Sequence, residues 1–79
     1  MSVMDEKAKA MLMLGVLNDA FGDIRNMIYY LQDFIYSHPD WAEDFEKLGL
    51  NDVLNAAREL EKLTLEKMDL LKRIAEGKE

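Results

Sequence analysis

The sequence predicts an all-α protein, a helical hairpin in which a long helix, a short helix and a second long helix follow one another. Three observations carry this. Alanine, leucine, methionine, lysine and glutamate dominate the chain, and these are the strong helix formers. An apolar stripe of Ala10, Leu14, Leu17, Phe21, Ile24, Ile28, Leu31 and Ile35 steps by four, three, four, three without exception, the spacing of a helix packing seam. One proline and four glycines are too few for the turns of an all-β chain.

The first helix is expected from about Val3 to Ser37. Its stripe crosses Gly22 in register, which favours one continuous helix even though glycine costs about 1 kcal/mol relative to alanine there. His38-Pro39-Asp40 ends it, because proline lacks an amide donor and pushes the preceding residue out of the α region. Pro39 suits the first turn of a short helix over 39–48, with Glu43 and Asp44 near its positive end. Gly49 suits the left-handed position that follows, and Asn51 is the expected N-cap of a last helix over 52–75. That helix carries the stripe Val53, Ala57, Leu60, Thr64, Met68, Leu71 and Ile74. Glu59 and Lys62, Lys62 and Glu66, and Asp69 and Arg73 sit at spacings that give small surface support. The tail Glu76–Glu79 is expected to fray, and residues 1–79 read as a single domain.

A chain this short buries only about 60% of its unfolded surface, so its core needs a supplement. With no cysteine, neither disulfides nor a zinc-thiolate site can provide one. A second seam, Met13, Leu17, Ala20, Ile24, Met27, Leu31 and Phe34, widens the apolar face of the first helix beyond what one neighbour covers. The last helix is shorter and cannot cover its full length. The expected solution is a homodimer, two hairpins forming a four-helix bundle, with self-association through Leu17, Phe21, Ile24, Ile28 and Leu31. The heptad pattern fits either a parallel or an antiparallel arrangement. On the other side Ala8, Gly15, Gly22, Tyr29 and Tyr36 recur every seven residues, either as a docking groove with a tyrosine ridge or as a solvated face.

Sixteen acids against ten bases give a net charge of −6, which disfavours direct nucleic-acid binding. The excess lies mid-chain, where Asp40, Glu43, Asp44, Glu46 and Asp52 face only Lys47. No apolar run approaches the roughly 18 residues of a membrane span. The run Ala10–Leu17 lacks a basic flank and a cleavage site, so the expected compartment is the cytoplasm. The only histidine, His38, sits in a turn with Asp40 across Pro39. No H-E-x-x-H, P-loop, G-x-G-x-x-G or EF-hand pattern occurs. The expectation is no enzyme and no catalytic, cofactor or metal residue. Trp41, Glu43, Asp44 and Phe45 join aromatic anchors to an acidic rim, and with Tyr29 and Tyr36 they are the candidate partner contacts. They suggest a non-catalytic protein that binds another protein, one of basic surface, as a regulator, adaptor or inhibitor. Small acidic phage-type inhibitors of host nucleases and nucleic-acid-binding proteins are similar in class and give an alternative.

Glu43-Asp44-Phe45-Glu46 followed by Glu66-Lys67-Met68-Asp69 places acid pairs three apart on successive helices. The order resembles that of all-α nucleotide pyrophosphohydrolases of the MazG type. That resemblance implies acids holding Mg²⁺ beside a triphosphate, and it is the enzymatic alternative. The three-helix layout is also similar to helical chorismate mutases, which need basic side chains inside the bundle. Here the first helix offers only Arg25 beyond Lys9, and Arg25 is expected on the polar side, which excludes that reading.

Overall fold

The structure, a computed structural model, describes residues 5–78. Asp5 opens the first helix, its carboxylate accepting the Ala8 amide at 2.8 Å. Helix α1 then runs Glu6–Ser37, straight through Gly22. The expected start near Val3 lies outside the described residues. A 3₁₀ turn, Pro39–Trp41, and a short helix α2, Ala42–Lys47, replace the single short helix expected over 39–48. Helix α3, Leu50–Ala75, returns antiparallel along α1. All-α architecture and the long–short–long hairpin are therefore as the sequence predicts.

The turns follow from backbone chemistry. The His38 amide donates to the Phe34 carbonyl at 3.0 Å, closing α1 before Pro39 removes the next donor. Gly49 takes a positive φ of 76° and reverses the chain. Its carbonyl accepts the Asp52 amide at 3.1 Å, so α3 has already begun when Asn51 is reached. The expected Asn51 cap is corrected accordingly, and Asn51 is a residue of the first helical turn. The tail also differs from expectation. Gly77 adopts φ 75°, Lys78 donates to the Arg73 carbonyl at 2.9 Å, and Gly77 donates to Ile74 at 3.0 Å. Those two bonds satisfy carbonyls that a frayed end would leave to water.

The core is one seam. Ile28 packs with Leu54 and Ala57, with Ile24, Leu31 and Ile35 against them, and Ala10 is buried near the open end. All of the α1 stripe is buried or half-buried. On α3 the expected stripe holds at Ala57, Thr64, Met68, Leu71 and Ile74, which are buried or half-buried, and departs at two positions. Leu54, Ala57 and Thr64 are buried, whereas Val53 and Leu60 remain close to half exposed. The small Ala57 and Thr64 let α1 approach closely, and the Thr64 hydroxyl satisfies itself on the Leu60 carbonyl at 2.7 Å. Glu61 is the more buried of the two, at the edge of the seam, where Arg25 lies 3.8 Å from its carboxylate. Arg25 thus sits at the margin of the helix interface rather than on the solvent face. Of the charge pairs expected within α3, Asp69–Arg73 forms, at 3.4 Å.

A Cβ added at Gly22 meets nothing within 4 Å, whereas Gly49 needs its positive φ. Gly22→Ala should therefore stabilise the fold by about 0.5–1 kcal/mol and Gly49→Ala destabilise it by about 1 kcal/mol or more. Urea denaturation of the two variants checks both signs.

Candidate functional site at the hairpin tip

The tip is built around four rings. Phe34 leaves the last full turn of α1, His38 follows one turn later, Trp41 ends the 3₁₀ turn and Phe45 comes from α2. The His38 and Trp41 rings stack at 4.4 Å with planes 15° apart. Phe34 lies 4.9 Å from His38, 5.9 Å from Trp41 and 6.1 Å from Phe45. Phe45, 5% exposed, is the plug that closes the hairpin, whereas Trp41 is 47% exposed. Phe34, Trp41, Asp44, Phe45, Leu48 and Leu50 line a recess of about 220 Å³. One carboxylate, Asp44, is part of that lining, and Asp40, Glu43, Glu46 and Asp52 are near it in sequence. Glu43 pairs with Lys47 at 3.2 Å, both exposed. Asp40, Asp44, Glu46 and Asp52 have no ion-pair partner among the described residues.

Of the expected contact residues, Trp41, Glu43 and Asp44 are surface groups of one tip. Phe45 is corrected: its ring is internal, and a partner would meet its edge only through the recess. Tyr29 and Tyr36 are exposed but stand on another flank of α1, away from Phe34. Tyr29 is occupied locally, its hydroxyl accepting from Arg25 at 3.2 Å and its ring lying 5.9 Å under the guanidinium. Phe34 and His38 were not among the expected contacts. Their four-residue spacing next to Trp41 is the signal that could have placed them together.

The five residues expected to self-associate, Leu17, Phe21, Ile24, Ile28 and Leu31, are turned toward α3, and Ile28 is buried there. The uncovered apolar surface is the neighbouring seam, where Met13, Met27 and Phe34 stay exposed. It runs along a flank and not at one end of α1. On the opposite flank, Gly15 lines a recess of about 560 Å³ with Met11, Asn18, Leu65 and Asp69, while Gly22 lines none of the cavities described. The acid pairs are not brought together. Glu66 lies about 24 Å along α3 from Leu50, well away from Glu43 and Glu46 at the tip. No group of three potential metal-ligating side chains forms among the described residues. Nor is any helix among them long and apolar enough to cross a membrane.

No protein-family model matches the chain. No solved structure matches it either.

Phe45→Ala should cost about 3 kcal/mol or more, since it empties the plug, and Trp41→Ala distinctly less. His38→Ala, which strips one face of the stacked indole, should shift the emission of the only tryptophan to the red. Equilibrium urea unfolding and fluorescence of the three variants test this division of labour.

Proposed function

We propose that the chain is a cytoplasmic, non-catalytic helical protein that works as a homodimer by binding another protein of basic surface at the hairpin tip, as a regulator, adaptor or inhibitor. The observation that carries this reading is the half-open aromatic recess with the unpaired Asp44 carboxylate in its lining, within the acidic segment 38–52. A recess of about 220 Å³ is smaller than the pockets that enclose small ligands, roughly 300–1,000 Å³, and suits one large side chain of a partner. Trp41 and Phe34 supply rigid apolar walls at low entropic cost, the kind of anchor that dominates interface energy. The acids of segment 38–52 speed encounter with a basic surface and repel acidic ones. Phe45 beneath the recess and the stack of His38 on Trp41 hold those walls in place before binding, which lowers the ordering cost.

The test uses wild type, Trp41→Ala and the pair Glu43→Lys/Asp44→Lys as baits. A basic protein is expected on the wild-type bait, identified by mass spectrometry and absent from both variants. With the purified partner, affinity should fall as salt is raised. An identical captured set on all three baits would remove the tip from any role in recognition.

A further inference from the structure

The hairpin is elongated and thin. It measures 60 × 20 × 17 Å with a radius of gyration of 17.6 Å. A compact domain of this length would have a radius of about 11.6 Å. Its accessible surface is 6175 Å², against about 4,900 Å² for a folded monomer of its mass. The surplus is on the order of 1,000 Å² per chain, and two such chains reach the 2,000 Å² or more that obligate homodimers bury. Much of the exposed apolar surface lies on one flank. Helical geometry puts Met13, Val16, Met27 and Phe34 of α1 there, with Leu60 and Leu63 of α3, all exposed. Met13 and Leu71 line one recess on this flank, which ties the two helices' apolar surfaces together. The opposite flank also exposes Met11, Tyr29 and Leu65, but sets Asn18, Arg25, Arg58, Asp69 and Lys72 among them.

We propose that a second copy of the chain covers the open flank, face to face and pointing the opposite way, giving an antiparallel four-helix bundle whose two-fold axis passes near Ala20. It rests on the homodimeric reading and adds the surface and the orientation. One observation shows how that orientation fits the spacing, and a second, the charge, selects it over the parallel one. Met13, Ala20 and Met27 are spaced by sevens about Ala20, so reversal of the second chain sets Met13 against the partner's Met27 and leaves the small Ala20 where the two helices cross. On α3, Val53 and Ile74 lie at nearly equal distances either side of Leu63. The second observation is charge. Residues 38–52 hold five carboxylates against one lysine. Near the two termini, Lys7, Lys9, Lys72, Arg73 and Lys78 balance Asp5, Glu6, Asp69, Glu76 and Glu79. Parallel hairpins would press two acidic tips together. Antiparallel ones separate them by nearly the 60 Å length of the molecule, far beyond a Debye length of about 8–10 Å. Each tip then lies beside the charge-balanced end of its neighbour.

Light scattering over a dilution series, with Met27→Glu/Leu60→Glu as the disrupting variant, tests the surface. The wild type should keep twice the 9.2 kDa chain mass. The variant should fall to monomer with its helical circular dichroism intact, because both positions are exposed within one chain. Met11→Glu/Leu65→Glu on the other flank should stay dimeric. Orientation is read separately, without disturbing the face, by single cysteines in this cysteine-free chain. Ala20→Cys should cross-link to its counterpart under dilute oxidising conditions, and Leu48→Cys at the tip should not. A wild type that is monomeric throughout overturns the homodimer and this inference together. A dimer that survives Met27→Glu/Leu60→Glu overturns the surface. A dimer linked by Leu48→Cys, whether or not Ala20→Cys also links, overturns the orientation and leaves the homodimer standing.

Discussion

Everything in this molecule hangs on a single apolar seam between two antiparallel helices. Ile28, Leu54 and Ala57 form its buried centre, and Ile24, Leu31 and Ile35 complete it. A helix has a cylindrical surface, and one neighbour covers only one stripe of it. Once α1 spends its four-three stripe on α3, Met13 and Met27 in the adjacent row stay exposed, and Phe34 at the end of that row meets only the rings of the tip. The same constraint acts on α3. Ala57 and Thr64 face inward, where small side chains allow close approach, and with Leu54 buried beside them Val53 and Leu60 lie at the outer margin of the stripe. The Arg25–Glu61 pair spans the margin at 3.8 Å with partly exposed side chains. Such a pair is worth about 1 kcal/mol or less, so it locates the edge of the seam without holding it together.

The tip is a consequence of that seam as well as an addition to it. Two helices packed side by side must be joined by a reversal, and the reversal uncovers the ends of both. Pro39 removes a donor where α1 stops, and Gly49 supplies the positive φ where α3 must start. Between them α2 is too short to be a layer of its own. It serves to drive Phe45 into the gap above the seam. The other rings then gather on that plug, Phe34 from below and the stacked His38 and Trp41 from the side. The exposure of Trp41 follows from this geometry: a plug needs one ring inside, and the next ring rests on the rim.

What the sequence made legible tracks which effects are local. The α1 stripe, the stop at Pro39 and the left-handed Gly49 each depend on residues within one or two turns. All three are found as read. The departure of α3 from its stripe at Leu60 is not local. By hydropathy Leu60 belongs inside and Glu61 outside, and the placement found depends on where α1 lies against α3, with Arg25 thirty-odd positions earlier in the chain beside Glu61. The ordered tail at Gly77 was hidden for a different reason. Its flanking Glu76 and Lys78 read as solvated charge, although the capping bonds use only backbone atoms. At the tip, Trp41 and the acids could be read from composition. Which of Trp41 and Phe45 is the plug depends on how α2 tilts, and neighbouring letters do not encode that.

The two flanks of the hairpin differ in kind, and the contrast separates surface that the chain finishes by itself from surface that it leaves apolar. On one flank Arg25 bonds the Tyr29 hydroxyl, lies over the Phe21 and Tyr29 rings and reaches Glu61, so polar groups there are mutually satisfied. Gly15 and Gly22 lie toward the same side with open space around them, which fits a surface whose packing demands nothing of them. On the other flank Met13, Ala20, Met27 and Phe34 recur at seven-residue intervals, and Leu60 and Leu63 line up opposite them. Seven-residue spacing on the exposed side of a helix already paired elsewhere has no role in the intrachain seam. A solvated face would favour charged residues there, yet Lys67 is the one charge within that part of α3. The pattern is that of a packing surface, repeated one step around the helix from the one the chain uses on itself.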